Sequence, residues 1–385
     1  MRKLAVITSH PIQYNAPLFR LLTERGNVQL KVFYTWGQTE SGLVYDPDFK
    51  KEFKWDIPLQ EGYEKEFIEN ISPNPSAGNF KGIDNENLIE RINVYNPDAL
   101  LVYGWSFKSH LKAIRFFKGK KKIIFRGDST LLDEPTGFSV RKTARRIFLK
   151  WVYRFIDYAL YTGEANKQYF LKHGLSPAQL IHAPHAVENE RFSDSNGSYE
   201  IHAKEWRMQL RIGEDDLVFL FAGKLEQKKD PLLLLDAFRE MKAKNARLIF
   251  AGNGALEQEL KDRAKEDRRV LFLDFQNQQA MPAVYRLADV FVLPSKGPGE
   301  TWGLSVNEAM ACGRPVIVSD KCGGAADLVH GNGIIFSSGK KEELIKAMHF
   351  FADNPDERKE MGTISLKNIS RFSISEIAGS IEKIV

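Results

Sequence analysis

The sequence predicts an α/β protein built from two Rossmann-like domains, each an open parallel sheet, facing one another across a cleft. Three observations carry this. A length of 385 residues suits two or three domains rather than one core. Short, nearly continuous apolar runs alternate with stretches of helical period, the pattern of strands buried on both faces. The rhythm breaks at one polar stretch, SDSNGS (193–198), and then restarts.

In the first half, LAVITS (4–9) reads as a strand, followed by a helical segment at 17–22 and a second strand, VQLKVFY (28–34). DALLVY (98–103), KKIIFR (121–126) and DYALYT (157–162) continue the series, with helical segments at 107–117 and 165–172. Residues 36–82 carry scattered aromatics and Pro58, Pro73 and Pro75 without a period, and read as a long excursion with room for a short hairpin. The second half offers six strands: LVFLFAG (217–223), ARLIFAG (246–252), RVLFLD (269–274), DVFVLPS (289–295), PVIVSD (315–320) and GIIF (333–336). The domains are therefore expected at 1–192 and 193–372, with a final helix at 373–385 returning to the first. Ligands of such sheets bind outside the carboxyl ends of the strands, so functional residues are sought in the loops that follow them.

Composition narrows the class. Hydrophobic residues are 43% and charged residues 27%, which excludes a disordered or fibrous chain. Cys312 and Cys322 are too few for a disulfide framework and lack zinc-site spacing, so a reducing, cytoplasmic setting is expected. The apolar run after Met1-Arg2-Lys3 is too short for a signal peptide, and no window matches a membrane span. Residues 1–192 hold 28 Lys or Arg against 21 Asp or Glu, and residues 101–158 alone hold 14 against 4. Such a field attracts an anionic ligand or surface.

The strongest local signal is PSKGPGETWGLSVNEAMACGR (294–314). A strand ends, a glycine-rich turn follows, and a helical pattern begins near Trp302. Glu300 and Glu308 flank that turn with seven residues between them. The amides of Thr301, Trp302, Gly303 and Leu304 stand at the positive end of the helix dipole, an arrangement that suits an anion. Glu300 as a simple helix cap is the competing reading.

This E-x7-E element, with EAMACGRPVIVSD and a following Gly-Gly, resembles the retaining family-4 glycosyltransferases of GT-B fold. GKLEQKKDP (223–231), ADVFVLPS and IHAPHAVENERF (181–192) are similar to further motifs of that family. The resemblance covers nearly all of the second half and is weak in the first. It implies metal-independent transfer, with retention, from a nucleotide-diphospho-sugar to a glycan or lipid-linked acceptor in surface polysaccharide or glycolipid synthesis. No other cofactor is implied. Lys224 and Lys229 would neutralise the leaving diphosphate, although the family usually has arginine where Lys224 stands. Glu300 would accept from hydroxyls of the donor sugar and Glu308 from the ribose. Gly223, Asn253 and Gly254 would border the donor site, and Phe275 and Gln276 would hold the base. On the acceptor side, His10 follows the first strand and Asp128 the strand KKIIFR, where capping is an equal reading for the aspartate. Retention fits a front-face displacement; a double displacement would make Glu300 the nucleophile to test.

The segment RKTARRIFLKWVYRF (141–155) puts Ile147, Phe148, Trp151, Val152 and Phe155 on one stripe among six basic residues. Such a helix packs on a sheet with its charges solvated, or lies on anionic lipid as a peripheral membrane contact, and the two are compatible. Two rival functions share the donor motifs: a GT-B nucleotide-sugar epimerase, and a non-catalytic sugar-nucleotide-binding protein. Nucleic-acid binding lacks any recognised motif.

Overall fold

Fifteen strands organise the described residues of a computed structural model, which are 1–46, 51–134, 137 and 139–385. In the first half these are β1 (Arg2–Thr8), β2 (Val28–Tyr34), β3 (Leu43–Asp46), β4 (Lys51–Lys54), β5 (Glu64–Phe67), β6 (Ala99–Tyr103), β7 (Lys122–Arg126), β8 (Tyr158–Tyr161) and β9 (Leu180–His182). In the second they are β10 (Leu217–Ala222), β11 (Ala246–Ala251), β12 (Val270–Leu273), β13 (Val290–Leu293), β14 (Val316–Ser319) and β15 (Gly333–Phe336).

Seven strands form one sheet in the order β5-β2-β1-β6-β7-β8-β9, and six form another in the order β12-β11-β10-β13-β14-β15. Pairing is parallel in both. Both are doubly wound sheets, and the winding reverses between β1 and β6 in one and between β10 and β13 in the other. Those reversals are where such sheets open a ligand crevice at their carboxyl ends. All six residues of β10 are buried, as a strand covered on both faces requires.

The sequence places each of these six second-half strands, but runs the first five past their ends, by one residue each and, for β13, by two. Gly223 and Gly252 take φ of 148° and 129°, which ends β10 and β11 before them. In the first half, β5 escapes the sequence reading because it is a charged edge strand, EKEF. Lys31 pairs with Glu64 at 3.0 Å and with Glu66 at 3.1 Å, so cross-strand charges replace the apolar alternation. The excursion holds the two-stranded sheet of β3 and β4, and beyond β5 it is fastened by side-chain amides. Asn85 Nδ2 donates to the carbonyls of Thr35, Ile68 and Glu69, and Asn70 Nδ2 to that of Gly82.

Contacts divide the chain into one unit of residues 1–44, 53–184 and 374–385 and another formed essentially by 185–373. The C-terminal helix Ile374–Ile384 buries Ile377, Ala378 and Ile381 within the first unit. Arg25 donates to Glu382 at 3.2 Å, and Ser380 Oγ to the His182 carbonyl at 2.7 Å. In the second unit, SDSNGS does not serve as a bare linker. Asp194 accepts from the amides of Tyr199 and Glu200 and so caps the helix Ser198–Gln209.

The basic helix Val140–Tyr153 departs from the expected packing. Leu149, Val152 and Tyr153 form its buried stripe, leaving Ile147 66% exposed and Phe148 40%. Positions 149, 152, 153 and 156 repeat with helical period, and 147 and 148 fall to the side of that stripe. Among the described residues no helix is long and apolar enough to cross a membrane.

Candidate functional site at the carboxyl ends of the second sheet

Three loops meet where β10, β11 and β12 end. The amide of Gly223 donates to Ala251 O, that of Gly252 to Leu273 O, and that of Leu225 to Asn253 O. A Cβ on Gly252 would lie 2.3 Å from Gly223 O, and one on Gly254 would lie 2.5 Å from Leu225 O. The Gly252-Asn253-Gly254 turn is therefore a backbone-to-backbone contact with the loop carrying Lys224 and Lys229. Asn253 extends the stitching: its Nδ2 donates to Glu257 and Asp274, and its Oδ1 accepts the Phe275 amide at 2.7 Å. Gln276 Nε2 donates to Asp274 O.

Lys229 closes a 3-10 turn, Gln227–Lys229, and its stem passes over Gly223, where a Cβ would lie 3.5 Å from Cδ and Cε. Its Nζ donates to Glu300 Oε2 at 2.7 Å. Both side chains are largely buried, at 15% and 10% exposed. Ser295 Oγ, just after β13, donates to the same carboxylate oxygen at 3.2 Å. Lys224 is half-buried directly after Gly223. The β10 and β13 loops are also joined by Lys296, whose amide donates to Lys228 O and whose Nζ meets Asp230 at 3.0 Å. The first lysine–carboxylate pair of the motif thus sits where the sheet's winding reverses.

The acidic turn is gripped from behind by the residues after β14. The amide of Gly323 donates to Glu300 O, and both the Gly324 amide and the Cys322 thiol donate to Trp302 O. A Cβ on Gly323 would sit 1.8 Å from Thr301 O, so only glycine fits. Burial pushes the Cys322 thiol up to about 12, which keeps it protonated and a donor. Gly303 takes a φ of 91°, and its Cβ would lie 2.5 Å from Cys322 Sγ. Packing and backbone conformation both require glycine there.

The helix Leu304–Ala311 begins directly after Gly303 and carries Glu308. Trp302 Nε1 donates to Asn307 Oδ1 at 2.8 Å, and Asn307 Nδ2 donates to His185 O. Glu308 is buried and accepts from Tyr285 OH at 2.6 Å. The two glutamates of the motif therefore have different surroundings: Glu300 belongs to the lysine loop, Glu308 to the helix Met281–Arg286. Thr301 and Leu304 are half-buried beside them and Trp302 is buried. Sequence reasoning missed Ser295, Asn307, Cys322 and Tyr285 as parts of the site. The Gly-Gly pair after Cys322 was its one visible trace; Tyr285 lies in an ordinary helical stretch with no signal.

His10 and Asp128 belong to the first unit, after β1 and β7. His10 is half-buried, receives a 2.9 Å contact from Ser9 Oγ at Nδ1, and packs edge-on to Trp36. Burial lowers its pKa from the ordinary value. Asp128 is exposed. Close to it in sequence, the buried Arg126 donates to the carbonyls of Ala183 and Pro184, the end of the first unit.

Residues 202–367 match the family model of glycosyl transferases group 1. The chain is 33% identical over 128 residues to an uncharacterized glycosyltransferase of Methanocaldococcus jannaschii, 32% of each chain. It is 30% identical over 180 residues to a D-inositol 3-phosphate glycosyltransferase of Corynebacterium kroppenstedtii, 43% of this chain and 40% of the relative. A lipopolysaccharide 1,2-N-acetylglucosaminetransferase of Salmonella typhimurium is 32% identical over 135 residues, 32% of this chain and 35% of that one. The chain thus spans about a third to two fifths of these relatives' lengths. Among solved structures, Anabaena HepE in complex with UDP and glucose superposes with a TM-score of 0.71 at 17% identity, covering 100% of this chain and 99% of that one. WaaG, a glycosyltransferase involved in lipopolysaccharide biosynthesis, gives 0.68 at 13% identity, with 99% of each covered. The fold is GT-B, and the matched region contains the Lys229–Glu300 pair.

Proposed function

We propose that this chain is a retaining, metal-independent glycosyltransferase that moves a sugar from a nucleoside-diphosphate donor to a glycan or lipid-linked acceptor. The observation that carries this reading is the largely buried Lys229–Glu300 pair, seated where the β10 and β13 loops meet inside the matched region. The relatives named for inositol-phosphate and lipopolysaccharide glycosylation favour surface polysaccharide or glycolipid synthesis.

Without donor, the attraction between Lys229 and Glu300 is ~6 kcal/mol at 2.7 Å and an effective dielectric of about 20, before desolvation is charged against it. A diphosphate competes for the ammonium with two negative charges. Lys229 then turns from the carboxylate to the phosphate oxygens, helped by Lys224, and Glu300 is released to accept from sugar hydroxyls. Lysines pre-positioned where charge grows on the leaving oxygens lower the barrier most. Glu308 takes the ribose hydroxyls, and Thr301 to Leu304 line the donor site. Departing phosphate removes the acceptor's proton on the same face, which preserves configuration without an enzyme nucleophile. His10 and Asp128 serve the acceptor side. Cations of the chain, rather than a metal, neutralise the diphosphate.

The test is turnover with product analysis by NMR. Lys229→Met and Glu300→Gln are each expected to lower turnover by about 10²–10³-fold with the fold intact, and the wild-type product to keep the donor's anomeric configuration. Undiminished turnover in either variant, or a donor epimerised without any acceptor, contradicts the proposal.

A further inference from the structure

We infer that Tyr285 is a positioning residue for donor recognition: its hydroxyl fixes the carboxylate of Glu308 in the orientation that receives the two ribose hydroxyls. This rests on the reading of Glu308 as the ribose-binding group.

Tyr285 OH donates to Glu308 Oε2 at 2.6 Å, the length of a strong hydrogen bond to a carboxylate. The tyrosine is fully buried, and its ring meets Phe192 and Phe291 edge-on at centroid distances of 6.1 and 5.6 Å. The ring is packed against both phenylalanines, which holds the hydroxyl beside the glutamate. The helix that carries it, Met281–Arg286, has an anchor away from the glutamate: Arg286 donates to Phe192 O at 2.7 Å. Arg286 also donates to Cys312 Sγ at 3.2 Å, at the end of the helix that carries Glu308. The tyrosine therefore imposes geometry on the carboxylate rather than following it.

A carboxylate has about four acceptor positions in one plane. A vicinal diol presents two donors, which both reach a carboxylate only when that plane faces them. With one position of Oε2 taken by Tyr285, rotation of the glutamate head group is blocked and its plane is set before the ligand arrives. Preorganisation of this kind saves the ordering cost at binding. The expected consequence is selectivity for a ribose over a sugar lacking the 2′ and 3′ hydroxyls, because a donor site left with unpaired polar groups rejects the deoxy ligand.

The experiment is calorimetric titration of UDP, ADP and GDP, each beside its 2′,3′-dideoxy counterpart, into wild type, Tyr285→Phe, Glu308→Gln and the double variant. Wild type is expected to prefer the ribonucleotide by at least about tenfold. In Tyr285→Phe that preference falls to about two- to threefold while affinity for the dideoxy ligand is unchanged, which a general loosening of the fold does not produce. In the Glu308→Gln background, adding Tyr285→Phe changes nothing, since the tyrosine acts through the glutamate. Affinity for the dideoxy ligand, which does not draw on the glutamate's diol contact, serves in every variant as the check that the donor site is folded. A ribose preference retained in Tyr285→Phe, an equal loss for both ligands, or a further loss in the double variant overturns the assignment of Tyr285. Wild type without any ribose preference instead overturns the role of Glu308, and the inference with it.

Discussion

At the residue scale, one buried histidine ties the first unit's stability to pH. His110 is completely buried beside β6, and its Nδ1 lies 3.0 Å from Tyr103 O and 3.1 Å from Gly104 O. Carbonyls only accept, so Nδ1 carries the proton, and Nε2 accepts from Thr35 Oγ1 at 2.8 Å. This tautomer is assigned from the network. Burial lowers the pKa to about 4, against the opposing pull of the two carbonyls. A depressed histidine pKa means the unfolded chain binds the proton more readily. The contribution is therefore fully present above pH 6.5 and is lost progressively as pH falls from 6.5 towards 4. The loss amounts to about 3 kcal/mol at full protonation. Urea unfolding at pH 7 and pH 4.5 checks this. Wild type is expected to lose more stability across that interval than His110→Gln, and equal losses in both contradict it. Nothing in the sequence distinguishes His110 from His10, because burial and the facing carbonyls arise only when β6 is packed.

At the scale of elements, what the sequence reveals and what it hides have a common cause. Strands covered on both faces are nearly continuous apolar runs, so β10, β11 and β13 are visible, and the loops after them are located with nearly correct ends. Strand β5 and the segment fastened by Asn70 and Asn85 depend on partners distant in sequence and leave no local period. The same holds for the acidic turn. Glu300 and Glu308 are legible from their spacing, whereas the Cys322-Gly323-Gly324 strap behind them is defined by contacts. Its glycines give a prediction of opposite sign to a glycine elsewhere. Gly323→Ala would bring a Cβ to 1.8 Å from Thr301 O, and is expected to cost about 1–3 kcal/mol or more and to displace the turn bearing Glu300. Gly379 sits inside the helix Ile374–Ile384, where an added Cβ would meet nothing within 4 Å. Gly379→Ala is expected to stabilise by about 0.5–1 kcal/mol. Thermal melting of both variants is the measurement; a neutral Gly323→Ala would mean that the strap is loose.

At the scale of the whole molecule, charge and exposed apolar surface combine on the first unit. The stretch 101–158, with 14 basic against 4 acidic residues, contains a helix that leaves Ile147 and Phe148 partly in water. Arg141 and Arg145 on that helix are exposed. We propose that this face rests on anionic lipid, which suits a lipid-linked acceptor at the inner surface of a membrane. Sedimentation with phosphatidylglycerol vesicles is expected to recover wild type and to recover about tenfold less of Arg141→Glu with Ile147→Ser. Equal recovery of the two removes the membrane contact. The stripe itself was legible in the sequence, but its rotation was not, since helical period alone does not say which of two adjacent apolar flanks meets the sheet.

The central claim is that the ammonium of Lys229, held ready by Glu300, receives a nucleoside diphosphate. Calorimetric titration of UDP, ADP and GDP into wild type and Lys229→Met tests it most directly. Binding of at least one of them to wild type, weakened at least about tenfold in the variant, is the predicted result. A diphosphate that binds both proteins equally, or none that binds either, would contradict it.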